Sequence, residues 1–152
     1  MSDPNQKTID LSCNILLGGI GLVVVLSLCM ILPPHLSISY FNTILFGHIG
    51  YPQTMSAEGT SYANFLYAVL ACVMIGWMIP MIYLAHRPLR TGSTIAWKVI
   101  VLSLGVWFVM DSGISITLGY WQNAASNTAL AIVLTIPLLM IHPHLIKEVP
   151  GH

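Results

Sequence analysis

Residues 97–119 read WKVIVLSLGVWFVMDSGISITLG, with one lysine at the start, one aspartate past the middle, and otherwise apolar or small polar side chains. About 20 helical residues cross a hydrocarbon layer of about 30 Å, so this run is long enough to do so. A transmembrane strand would instead alternate in polarity over about ten residues. The run is continuous, and a membrane helix follows. Three further stretches read the same way: Cys13–Leu32 (CNILLGGIGLVVVLSLCMIL), Ala63–Ala85 (ANFLYAVLACVMIGWMIPMIYLA) and Thr128–Ile146 (TALAIVLTIPLLMIHPHLI). The 152-residue chain is 56% hydrophobic and 7% charged, whereas soluble domains are about a quarter charged. The expected fold is all-α: a single transmembrane domain over residues 1–152, an integral membrane four-helix bundle with an outer loop at 33–62.

The first span exceeds the apolar run of a secretory signal, about 7–15 residues, and Pro33 and Pro34 follow it rather than a small-residue cleavage site. It is expected to be retained. Cys13, Cys29 and Cys72 form no CxxC pair, and they read as buried packing thiols.

Charge gives an orientation. Lys7 precedes span one, Arg87, Arg90 and Lys98 lie between spans two and three, and Lys147 follows span four. The other two connections, Pro33–Tyr62 and Tyr120–Asn127, carry no Lys or Arg. The positive-inside rule then places both termini in the cytoplasm. Tyr62, Tyr120 and Trp121 fall at outer boundaries, and Tyr83 and Trp97 at inner ones, where amphipathic rings collect. With no basic stripe, nucleic acid is not an expected partner. The outer loop is too apolar to be simply solvated. Ser39, Asn42 and Thr43 share one helical face and Ile38, Phe41 and Leu45 another, which predicts a short interfacial helix over 36–46.

Asp111 is the residue that composition does not explain. It lies about 21 Å into span three, at 1.5 Å per residue from Trp97. An ionised aspartate near a helix centre costs roughly 2.5–3.5 kcal/mol on insertion scales. It should therefore face other helices, protonated or hydrogen-bonded. Steps of four give Ser103, Trp107, Asp111, Ser115 and Gly119, a polar and small stripe flanked by Ser112. Ser115 and Gly119 have the spacing that lets helices approach closely. Candidate partners are Asn64 and Tyr67 on span two, and Asn127 and Thr135 on span four. Asn123 and Asn127 are four apart and can present two amides to one place. The candidate site is thus Asp111, as acid, base or ligand, with Trp107, Ser115, Tyr67, Asn123 and Asn127 as ligand contacts; the alternative is a polar group that only glues helices together.

Other features point to packing. His35, His48, His142 and His144 match no metal cage, and the helical spacing of Met74, Met78 and Met81 suits adaptable packing. Pro80 and Pro137 leave the carbonyls of Gly76 and Val133 without their helical donors. Gly18, Gly19 and Gly21 make a smooth face on span one. GxxxxGK, HExxH, GxSxG and CxxC are all missing from the sequence, so no cofactor is expected.

From span two onward, Gly76-Trp77, Pro88-Leu89-Arg90-x-Gly92, Ala96-Trp97, Trp107-Phe108-x-x-Asp111-Ser112 with Ser115, then Asn123, Asn127 and Pro137 resemble a group of small bacterial four-helix membrane proteins without an assigned activity. The resemblance implies a four-span protein of the bacterial inner membrane and singles out the Asp111 neighbourhood. It supplies no reaction. Three functions fit these expectations. One is a protein that binds a lipophilic ligand or a partner subunit through the face around Asp111. Another is an intramembrane isomerase or cyclase acting on a lipid, quinone or isoprenoid, with Asp111 as general acid or base. The last is a small proton-coupled transporter.

Overall fold

The computed structural model describes residues 4–31 and 56–146, together with Ser39 and Thr43. Among them are four helices and no strand: α1 (Pro4–Ile31), α2 (Ala57–His86), α3 (Thr94–Thr117) and α4 (Trp121–Ile146). Each is long and apolar enough to cross a membrane. Within the proposed 36–46 helix, only the bond from Thr43 Oγ1 to the Ser39 carbonyl, 2.8 Å, falls on described residues. His35 and His48 lie outside them.

The apolar stretches sit inside longer helices. Pro4 opens α1 well before Cys13, a place where proline costs a helix nothing because the first turn has spare amides. Ser56 caps α2, its hydroxyl accepting from Gly59 N at 3.1 Å, and Glu58 in the first turn suits the helix dipole. Ser93 caps α3, accepting from Ala96 N at 3.2 Å.

Two tight turns close on glycine. Gly119, with φ 85°, follows α3. Tyr120 N donates to Ser115 O at 2.7 Å and Gly119 N to Ile116 O at 3.0 Å, the two bonds of a Schellman motif. Gly119 therefore ends the helix, and it does not extend the contact stripe as its spacing from Ser115 had indicated. The expected loop at 120–127 is correspondingly short, since α4 already begins at Trp121. Between α2 and α3, Gly92 (φ 81°) plays the same part, with Ser93 N donating to Pro88 O and Gly92 N to Leu89 O.

The chain packs as two compact units, Met1–Gly21 with Ile79–His152, and Leu22–Met78. In the first, α3 and α4 form an antiparallel hairpin whose contacts nest about the Leu118–Tyr120 turn. On α4, Ala124, Asn127, Leu134, Leu138, Ile141 and Leu145 are buried, and with half-buried Ala131 they run at alternating steps of three and four, a single helical seam. The first half of α1 joins through Gly19, where an added Cβ would lie 2.9 Å from Leu134 Cδ2 and 3.4 Å from Val133 Cγ1. In the second unit, Val23, Ser27 and Met30 of α1 and Ala71 and Met78 of α2 are buried, and Ser27 returns its hydroxyl to Val23 O at 2.8 Å.

Between 17% and 33% of each apolar stretch is buried, so most large apolar side chains point outward. Leu102, Val109 and Ile79 are among them. The cysteines divide the same way. Cys13 is buried, but Cys29 and Cys72 are exposed, which corrects the expectation of three buried thiols. A free cysteine is a small apolar group, and on these helices the outward face is as apolar as the inward one.

Candidate functional site

Near its C-terminal end, α3 presents Asp111, Ser112 and Ser115 to the start of α4. Asp111 is half-buried, and Ser112 and Ser115 are buried. Asn123 Nδ2 donates to Asp111 Oδ1 at 3.1 Å and to Ser115 Oγ at 2.8 Å. Ser115 Oγ in turn donates to the Asp111 carbonyl at 2.7 Å, one turn back on its own helix, with Oδ1 at 3.4 Å beside it. One turn further along α4, Asn127 is buried and its Nδ2 reaches Ser112 Oγ at 3.4 Å. The two amides thus divide the work: Asn123 serves Asp111 and Ser115, and Asn127 serves Ser112.

The local fold makes this arrangement. The Schellman turn brings α4 back along α3 within three residues. Because α4 starts at Trp121, Asn123 stands in its first turn, opposite the last turns of α3. A longer loop would have carried the amide past the carboxylate.

The remaining candidates are placed as follows. Trp107 is half-buried one turn from Asp111 on the same face of α3, its ring edge-on to Phe108 at 6.5 Å. Thr135 lies eight residues beyond Asn127, about 12 Å along α4, closer to the level where Trp97 meets Leu138. Tyr67 and Asn64 belong to the second unit. There Tyr67 is half-buried, and Asn64 Oδ1 is buried without a hydrogen bond. A shallow apolar groove on α3, lined by Val109, Met110, Gly113, Ile114, Thr117 and Leu118, contains no member of the polar cluster.

A second polar cluster occupies the opposite end of the first unit. Arg90, in the α2–α3 turn, donates through Nη2 to Asn14 Oδ1 and lies 3.7 Å from Asp10 Oδ1. Gln6 Nε2 donates to Asp10 Oδ1 at 3.3 Å and to the Arg90 carbonyl at 3.4 Å. Nearby, His144 Nδ1 pairs with Asn5 Oδ1 at 3.1 Å, joining the first turn of α1 to the last of α4. Trp97 donates its indole N–H to Leu138 O at 2.8 Å and stacks obliquely on His142 at 4.7 Å. Pro137 and Pro143 remove the helical donors of Val133 O and Leu139 O, the latter one residue from the carbonyl that Trp97 meets. Sequence reasoning had left Arg90, Asn14 and Asp10 out of any site. The available signal was Gln6, Asp10 and Asn14 at steps of four, a polar stripe on α1.

Among the described residues, no group of three or more His, Cys, Asp or Glu could hold a metal ion. The chain matches no known family, no curated protein and no solved structure. Function is therefore argued from the two clusters themselves.

The two clusters differ chemically. The Arg90 cluster balances a cation with a carboxylate and two amide side chains, as a tie between elements does. Among the described residues, Asp111 has amide and hydroxyl neighbours but no cation. From 99 to 146 the chain contains no Lys or Arg, and no donor among the described residues reaches Asp111 Oδ2. The carboxylate is held by one oxygen and open at the other.

Proposed function

We propose that this chain is a multi-pass protein of the bacterial inner membrane, with both termini in the cytoplasm. Through the polar face around Asp111 it binds a lipophilic ligand or a partner subunit. Outward faces as apolar as these are rare on soluble monomers, whose exposed apolar patches rarely exceed a few hundred Å². A lipid surround accounts for them. The orientation is supported by the grouping of Arg87, Arg90 and Lys98 with the first turns of α1 and the last turn of α4, at the end of the first unit remote from Asp111. The positive-inside rule makes that end cytoplasmic.

One observation carries the functional reading: a carboxylate near the outer end of α3, fixed by Asn123 through one oxygen and given no cation or second donor by the described residues. Keeping an aspartate in an apolar helix is costly even toward its end, and an average interhelical hydrogen bond returns only roughly 0.6 kcal/mol. An asparagine would join the helices at lower cost. The excess is explained if the open oxygen meets something outside the chain.

Native mass spectrometry of the gently extracted full-length protein tests this. A bound small molecule or a stoichiometric protein partner is expected, released by Asp111→Asn while the helical content is unchanged. The same bare protein from both sequences would refute the proposal.

A further inference from the structure

We infer that the ligand of the Asp111 site is a lipophilic ammonium ion, an apolar molecule carrying one protonated primary or secondary amine. This rests on the reading that the face binds a small molecule, and it follows from the hydrogen-bonding capacity left over. Asn123 Nδ2 has two N–H groups, directed to Asp111 Oδ1 and Ser115 Oγ. Ser115 Oγ has one O–H, and it goes to the Asp111 carbonyl. Asp111 Oδ2 and Asn123 Oδ1 remain, and no donor among the described residues reaches either. With Asp111 ionised, the trio offers two acceptors that no described residue fills, and no open donor. A ligand with carbonyl or ether oxygens alone has nothing to bond on these three side chains, and an anion is repelled.

Charge chooses among donors. The chain holds no Lys or Arg at 8–86 or 99–146, and Arg90 is engaged by Asp10 and Asn14 at the other end of the unit. An alcohol would fill one acceptor and leave the carboxylate's charge uncompensated. A protonated amine brings the charge and at least two N–H groups together, and charge-assisted bonds are roughly twice as strong as neutral ones. Trp107, one turn away on the same face, adds an aromatic ring of the type that attracts cations lying within about 6 Å.

The test uses the full-length protein in phosphatidylcholine nanodiscs at neutral pH. Radiolabelled decylamine is the probe, with decyltrimethylammonium and 1-decanol as competitors. Saturable decylamine binding above that of empty discs is expected. Decyltrimethylammonium, which has the charge without the N–H, should displace it less well than unlabelled decylamine, and decanol least of all. Asp111→Asn should weaken decylamine binding about tenfold or more, the effect of one lost charge-assisted hydrogen bond. The ranking in the unaltered protein is a test in itself, whatever the variant's folding. Decanol competing as well as decylamine would overturn the ammonium assignment while leaving an Asp111-dependent ligand site in place. No saturable binding of any probe would overturn the assignment, and a ligand of another class seen by native mass spectrometry would show that the site itself survives.

Discussion

At the scale of single residues, the chain shows two ways to place a polar group in an apolar helix. Trp97 is the settled kind. Its one donor meets Leu138 O, and its ring covers His142. Trp97→Phe keeps an aromatic ring but removes the donor and part of the indole's packing, so it should lower stability by at least roughly 0.5–1.5 kcal/mol, the net worth of one hydrogen bond. Thermal unfolding in detergent would register this, and Trp121→Phe, at an exposed position, should leave the midpoint unchanged. Asp111 is the unsettled kind, open at one oxygen. Its departure from the apolar pattern was legible in the sequence because a lone charge in an apolar run stands out. Its partner was not. Asn123 and Asn127 are equally plausible by spacing, and the choice was made by where α4 begins.

At the scale of elements, the apolar runs located each of the four described helices and their C-terminal ends to within two residues, but began short of their N-terminal ends. Hydropathy detects where a helix meets an apolar surround. It does not detect where the backbone ladder starts, so PNQKTIDLS before Cys13 and WQNAASN before Thr128 looked like connections and are helix. Gly119 sat at a spacing that suits helix contact, but its positive φ makes it a terminator. The tie from Arg90 to Asn14 and the pair Asn5–His144 join residues far apart in sequence, and no local pattern announces such pairs.

Glycines on α1 give the sharpest test at this scale. A Cβ at Gly18 meets nothing within 4 Å, whereas one at Gly19 falls 2.9 Å from Leu134 in a buried seam. Gly18→Ala should be neutral or slightly stabilising, since alanine is the better helix former. Gly19→Ala should lower the unfolding midpoint, and Gly19→Val should cost about 1–3 kcal/mol by pushing α1 off α4. Equal effects at the two positions would contradict the packing.

For the whole molecule, outward apolar faces occur on all four described helices, and the first unit carries a charged cluster at one end and the Asp111 carboxylate near the other. These features belong together if lipid surrounds the helices and Asp111 is turned away from it. The most direct measurement is reagent accessibility at two neighbouring positions in a background without the native cysteines. Val109 is 66% exposed on the outward face of α3, and Asp111 is half-buried on the other side. A lipid-soluble thiol reagent applied to membranes should label Val109→Cys strongly and Asp111→Cys weakly, while an impermeant water-soluble reagent labels neither at the rate of a solvated loop. Equal labelling of the two by the lipid-soluble reagent, or rapid labelling of Val109→Cys from water, would contradict the account.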